Sequence, residues 1–195
     1  SPLMRSCEKL RILDAGCGTG VSSDYLAHLN PGSELVCVDI SSRALELASK
    51  RLRLSGGFEK ADVTFENRSL LELEGELSFD YINSVGVLHH LSEPETGLKS
   101  LASLLKKGGL LHLFLYADGG RWEVQRTQRA LKAIGVGHDK DGLRLARQLF
   151  SDLPQENRLR LNYEKRWAEE CLSDTNFADI YLHPQETSYN IDSLF

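Results

Sequence analysis

Short apolar runs alternate with helix-period patterns over residues 1–116 of the chain. Leu10-Arg11-Ile12-Leu13 reads as a strand entering a glycine-rich turn. Val21, Tyr25, Leu26 and Leu29 then form one apolar face at helical spacing, ended by Asn30-Pro31-Gly32. Leu35-Val36-Cys37-Val38 has the pattern of a buried strand. Ser41 or Ser42 is placed to cap the next helix, whose stripe is Ala44, Leu45, Ala48 and Leu52. Val63-Thr64-Phe65-Glu66 and Phe79-Asp80-Tyr81-Ile82 supply a third and a fourth strand. Leu98, Leu101, Ala102 and Leu105 fall at i, i+3, i+4 and i+7, with Lys106-Lys107 complementing the helix dipole and Gly108-Gly109 as the stop. Leu110 to Tyr116 is nearly continuous apolar, as expected of a strand buried on both faces. This alternation predicts an α/β fold: a doubly wound parallel sheet of about five strands with right-handed crossovers.

After Tyr116 the pattern becomes helices and loops. Leu143, Ala146 and Phe150 make one helical stripe, and Tyr163, Trp167 and Cys171 another, with Asp118-Gly119-Gly120 at the junction. The division is therefore a sheet core over 1–116 and a helical appendage over 117–195, whose apolar content looks too thin for a core of its own.

The length, 195 residues, fits one domain with such an appendage, on a prior of roughly 150 residues per domain. A content of 41% hydrophobic and 26% charged residues excludes disorder. No apolar run approaches the ~20 residues that span a bilayer, so no membrane partner is expected. The opening Ser1-Pro2-Leu3-Met4-Arg5 has no signal-peptide layout and no methionine at position 1, which reads as a trimmed chain or a piece of a longer one. A net charge of −5 argues against broad, nonspecific binding to nucleic acid. Cys7, Cys17, Cys37 and Cys171 lie far apart and form no CxxC pair. No metal site or disulfide framework is expected from them, and reduced thiols in a cytoplasmic protein are the simplest reading.

The chemistry is concentrated in Leu13-Asp14-Ala15-Gly16-Cys17-Gly18-Thr19-Gly20, a strand running into a glycine loop and then a helix. Glycines let backbone approach a ligand closely and leave amides at a helix start free to donate. A dinucleotide fingerprint beginning at Gly16 needs a small residue at position 21, where Val21 stands. The acidic Asp14 beside the loop would repel a pyrophosphate but suits a ligand with an ammonium group, as S-adenosylmethionine (SAM) has. Both residues disfavour an NAD-dependent oxidoreductase.

With Val38-Asp39-Ile40-Ser41, Phe79-Asp80-Tyr81-Ile82 leading to Gly86-Val87-Leu88-His89-His90-Leu91, and Leu104-Leu105-Lys106-Lys107-Gly108-Gly109-Leu110-Leu111, the chain resembles the class I SAM-dependent methyltransferases over residues 10–116. The resemblance implies a Rossmann-like fold, SAM as cofactor with S-adenosylhomocysteine as product, and methyl transfer to a small-molecule acceptor. Gly16, Gly18 and Gly20 would form the loop under the methionyl and ribose parts, and Asp14 would help order that loop and meet the amino group, directly or through water. Asp39 would accept from both ribose hydroxyls, and Ile40 would lie against the adenine. Ser69 stands where the family often has an acid at the adenine edge, with Leu70 as the apolar residue after it. Asn83, Ser84 and Val85 would line the methionine side. His89 and His90 are the candidate general bases, a role many methyl transfers do without.

The family often places an insertion after the fifth strand over the substrate. Residues 117–195 are accordingly expected to form a lid that, with His89 or His90, defines the acceptor pocket. Arg121, just past the strand end at Tyr116, would then favour an anionic acceptor. The family's terminal antiparallel strand pair has no counterpart in the ending Ile191-Asp192-Ser193-Leu194-Phe195. No Asn/Asp-Pro-Pro-aromatic motif follows the fourth strand, and no radical-SAM cysteine run exists. The remaining alternatives are a noncatalytic SAM-binding module and a tRNA or protein methyltransferase.

Overall fold

The computed structural model describes residues 9–75, 78–190 and 192. Cys7, the opening residues and all of the final five except Asp192 lie outside that range. The chain divides between Leu115 and Tyr116 into two compact units.

In the first unit β1 (Arg11–Ala15), α1 (Val21–Leu29), β2 (Glu34–Asp39), α2 (Ser42–Ser55), α3 (Gly57–Lys60), β3 (Asp62–Asn67), β4 (Phe79–Val85), α4 (Pro94–Leu104) and β5 (Leu105–Phe114) follow in turn. The strands pair in the order β3-β2-β1-β4-β5, all parallel. Strand order reverses between β1 and β4, and there the carboxyl ends of an open sheet form a ligand crevice. Helix α2 follows its sequence pattern closely. Ser41 Oγ accepts from the Ala44 amide at 3.2 Å, and Leu45, Ala48 and Leu52 are buried.

Helix α1 keeps only Leu26 of its predicted face against the core. Val21, Tyr25 and Leu29 are 50%, 68% and 75% exposed, while Ser23 and Ala27 are fully buried. Close approach is the reason. A Cβ on Gly20 would lie 2.7 Å from Ala48 Cβ, so α1 starts hard against α2 and only small side chains fit beneath it.

Helix α4 likewise buries Gly97, Leu101 and Leu104 rather than Leu98 and Ala102, and it ends at Leu104. The Lys-Lys-Gly-Gly run is a bulge at the start of β5 instead of a helix terminus. Phe79 pairs with Leu105 but Tyr81 with Leu110, and Gly108 takes a φ of +82° within the extra residues. Lys106 reaches both oxygens of Asp80 at 3.0 Å, and the Arg11 amide donates to the same carboxylate at 2.8 Å. Strand β5 is an edge strand, so its apolar run is not buried on both sides. Leu110 and Phe114 are 45% and 51% exposed, whereas Leu111, Leu113 and Leu115 pack on the core.

Partial burial alone would push Asp80 up, but the Arg11 amide and Lys106 together hold it below the usual carboxylate range. A carboxyl depressed by folding contributes stability above its unfolded pKa and loses it as pH falls through the folded value. Asp80→Asn is therefore expected to blunt the acid-side fall in stability, read from urea unfolding between pH 3 and pH 7. An unchanged acid limb would remove Asp80 from the account.

The second unit contains α5 (Asp118–Ala133), α6 (Lys140–Asp152), α7 (Arg158–Asn162) and α8 (Asp174–Tyr181). It has a core of its own, including Val124, Leu131, Ala146, Phe150, Cys171, Phe177 and Ile180. That overturns the expectation of a thin apolar content. Four rings carry much of it: Phe150, Tyr163, Phe177 and Tyr181 lie with centroids 4.8 to 6.3 Å apart.

Candidate cofactor site

Gly16, Gly18 and Gly20 all adopt positive φ, +78°, +52° and +80°, each in a different setting. A Cβ on Gly16 would meet Val87 Cγ2 at 2.5 Å, so this glycine lets the β1 loop touch the β4 loop. Gly20 permits the contact of α1 with α2 already described. Gly18 alone faces open space, with nothing within 4 Å of where a Cβ would stand.

The amides of Gly16 and Cys17 donate to the Val38 carbonyl at 2.8 and 3.0 Å, tying the loop to β2. One residue on, Asp39 Oδ2 accepts from the Gly18 amide and Oδ1 from the Ser41 amide, both at 2.8 Å. Each carboxylate oxygen retains a second acceptor site. Ile40 beside it is 76% exposed. Three residues that the sequence pattern did not single out hold this arrangement. Asn67 Nδ2 donates to the carbonyls of Asp39 and Ile40 at 3.0 and 2.9 Å, and Arg51 Nε to the Thr19 carbonyl at 2.9 Å. Ser23 is the third.

Asp14 is 1% exposed. Its Oδ2 accepts from Ser23 Oγ at 2.6 Å and its Oδ1 from Asn83 Nδ2 at 2.9 Å. Asn83 Oδ1 is in turn 2.9 Å from His112 Nδ1. With the amide nitrogen given to Asp14, that oxygen is an acceptor and His112 donates from Nδ1. Burial pushes the Asp14 carboxyl up, the two hydrogen bonds oppose the shift, and the Asp39 charge adds to it. These two bonds fasten α1 and β4 to β1. A signal for this fastening existed: Ser23 and Ala27, small residues one helical turn apart.

Several other candidates take up different roles. Ser69 Oγ accepts from the Leu71 amide at 3.2 Å and caps a short 3-10 turn, while Leu70 packs in the sheet core. Ser84 is fully buried, and Val85 is 39% exposed at the end of β4. His89 is fully buried and packs at 4.2 Å, edge to face, on His90, which is half-buried. Neighbouring Cys17 and burial together push the Cys37 thiol far up, which makes it an inert core residue.

In the helical unit, Arg121 is buried and gives its fork to both oxygens of Glu186, with side-chain exposures of 7% and 2%. Its guanidinium also stacks 3.9 Å over the Tyr116 ring. The expected grip of Arg121 on an anionic acceptor is corrected accordingly: the two donors that would hold it are already committed.

A glycine loop at the switch point of a parallel sheet, with a carboxylate on the adjoining strand, defines a Rossmann-like nucleoside site. The chain belongs to the methyltransferase-domain family, which matches residues 13–111. It is 50% identical over 190 residues to an uncharacterised protein of a Synechococcus strain, covering 94% of this chain and 45% of that one. A ubiquinone biosynthesis O-methyltransferase of Parvibaculum lavamentivorans is 36% identical over 111 residues, 56% of this chain and 42% of its own. Among solved structures, PKMT2 from Rickettsia typhi in complex with AdoHcy superposes with a TM-score of 0.68 at 25% identity, over 92% of this chain and 36% of that one. The chain thus spans less than half the length of these curated relatives. Among the described residues, no helix is long and apolar enough to cross a membrane.

Proposed function

We propose that the protein transfers a methyl group from SAM to a small-molecule acceptor. The observation that carries this reading is the Asp39 carboxylate, 2.8 Å from the Gly18 amide, beside open space at Gly18 and the exposed Ile40. When bound, SAM supplies a methyl group made electrophilic by its sulfonium. Asp39 accepts from the ribose hydroxyls, Ile40 lies on the adenine, Gly18 leaves room for the ligand, and Val85 lines the far side. Of the two histidines, the more exposed His90 is the candidate base. The small-molecule acceptor is supported by likeness to an enzyme named for ubiquinone biosynthesis.

Asp39→Ala is expected to weaken S-adenosylhomocysteine binding by about 1.5–3 kcal/mol, the range for hydrogen bonds to a charged group. That is roughly 10- to 150-fold in Kd by calorimetric titration. Unchanged affinity would take Asp39 out of the site. Incubation with methyl-labelled SAM and a panel of phenols is expected to put label in a small molecule, and His90→Ala is expected to lower kcat. Label recovered only in protein or RNA would overturn the assignment of the acceptor.

A further inference from the structure

The helical unit carries a cavity of about 230 Å³ that the methyl-transfer reading does not use. One wall is α5, with Gln125, Gln128, Arg129 and Lys132 lining it, one helical face at i, i+3, i+4 and i+7. The opposite wall is the segment after α8, from Leu182 through Glu186, with His138 beside it. The floor is apolar, since Leu131, Val136, Tyr181 and Leu182 are all buried.

Most polar groups of the two walls are spent on neighbours. Gln128 Nε2 donates to the Ile180 carbonyl at 2.9 Å and to Glu186 at 3.3 Å, and Gln125 Nε2 donates to Ser188 Oγ. His138 donates from Nδ1 to the Leu182 carbonyl. The charge of Glu186 is matched by Arg121. What is left over is cationic. Arg129 and Lys132 make no ion pair or side-chain hydrogen bond among the described residues. Two unneutralised cations one turn apart, at the rim of a concave site with an apolar floor, favour an anion with an apolar body.

We infer that this cavity binds a small organic anion, a carboxylate or phosphate on an apolar body. The oxyanion meets the Arg129 fork and the Lys132 ammonium, the first suited to two oxygens and the second to a point charge. The body rests on Leu131, Val136, Tyr181 and Leu182. The volume is below that of most ligand pockets and restricts the body to a single ring or a short chain.

The test is titration of the full chain with benzoate as the charged ring, benzyl alcohol as the neutral ring and inorganic phosphate as charge alone. Benzoate is expected to bind more tightly than either of the others. The double variant Arg129→Gln, Lys132→Gln is expected to weaken benzoate by about tenfold or more, the worth of a charge-assisted hydrogen bond. Both side chains are exposed, so its unfolding midpoint and its affinity for S-adenosylhomocysteine should stay unchanged. Absent benzoate binding, equal binding by the double variant, or benzyl alcohol or phosphate as tight as benzoate would each overturn the assignment.

Discussion

Asp14→Ala is expected to destabilise the sheet unit by about 2–6 kcal/mol, because it strands two buried donors that each cost about 1–3 kcal/mol when unpaired. The donors are Ser23 Oγ and Asn83 Nδ2, and both residues are buried. Hydrogen exchange of the β1 and α1 amides isolates this unit from the helical one, and a loss under about 1 kcal/mol would defeat the account. Asp14→Asn separates the charge from the bonds. A carboxyl raised by folding stabilises most below its unfolded pKa, and that contribution fades as pH rises through the folded value. Stability of the native chain relative to Asp14→Asn should therefore decline with rising pH. The opposite slope would show that Asp14 is held ionised by its partners.

Gly18→Val is expected to cost on the order of 100-fold in affinity for S-adenosylhomocysteine, about 2.7 kcal/mol. Two effects combine. At a φ of +52° any branched side chain is strained by about 1–2 kcal/mol, and its methyls occupy the open space at the loop. Gly20→Ala should behave in the reverse manner. Its Cβ would lie 2.8 Å from the Ala48 Cα, so stability falls first and binding follows only as the loop shifts. Comparing the unfolding midpoint with SAH affinity in the two variants distinguishes a cradle from a packing contact. Equal affinity losses at equal stability losses would mean that Gly18 is no cradle.

Strands, the capped helix α2 and the glycine loop after β1 were legible because each depends on nearby residues. Apolar runs, a serine three residues before its amide, and glycines after a strand are all local signals. The face of α1 was not legible. Val21, Tyr25 and Leu29 repeat at helical spacing, yet the buried side is Ser23 and Ala27. Periodicity measures apolarity, whereas the close approach of α1 to α2 selects for small volume.

The same limit governs the charged residues. Local sequence determined that an acid precedes the glycine loop and that an arginine follows the last strand. Only the tertiary structure decided that Asp14 is fastened to Ser23 and Asn83, and Arg121 to Glu186, partners 9, 69 and 65 residues away. A carboxylate or guanidinium takes the nearest partner in space once water is removed, because a buried charge without one is prohibitively costly. Nearness in space is set by the register of β1 on β4 and by the packing of the helices, neither of which is written in any short stretch of the chain.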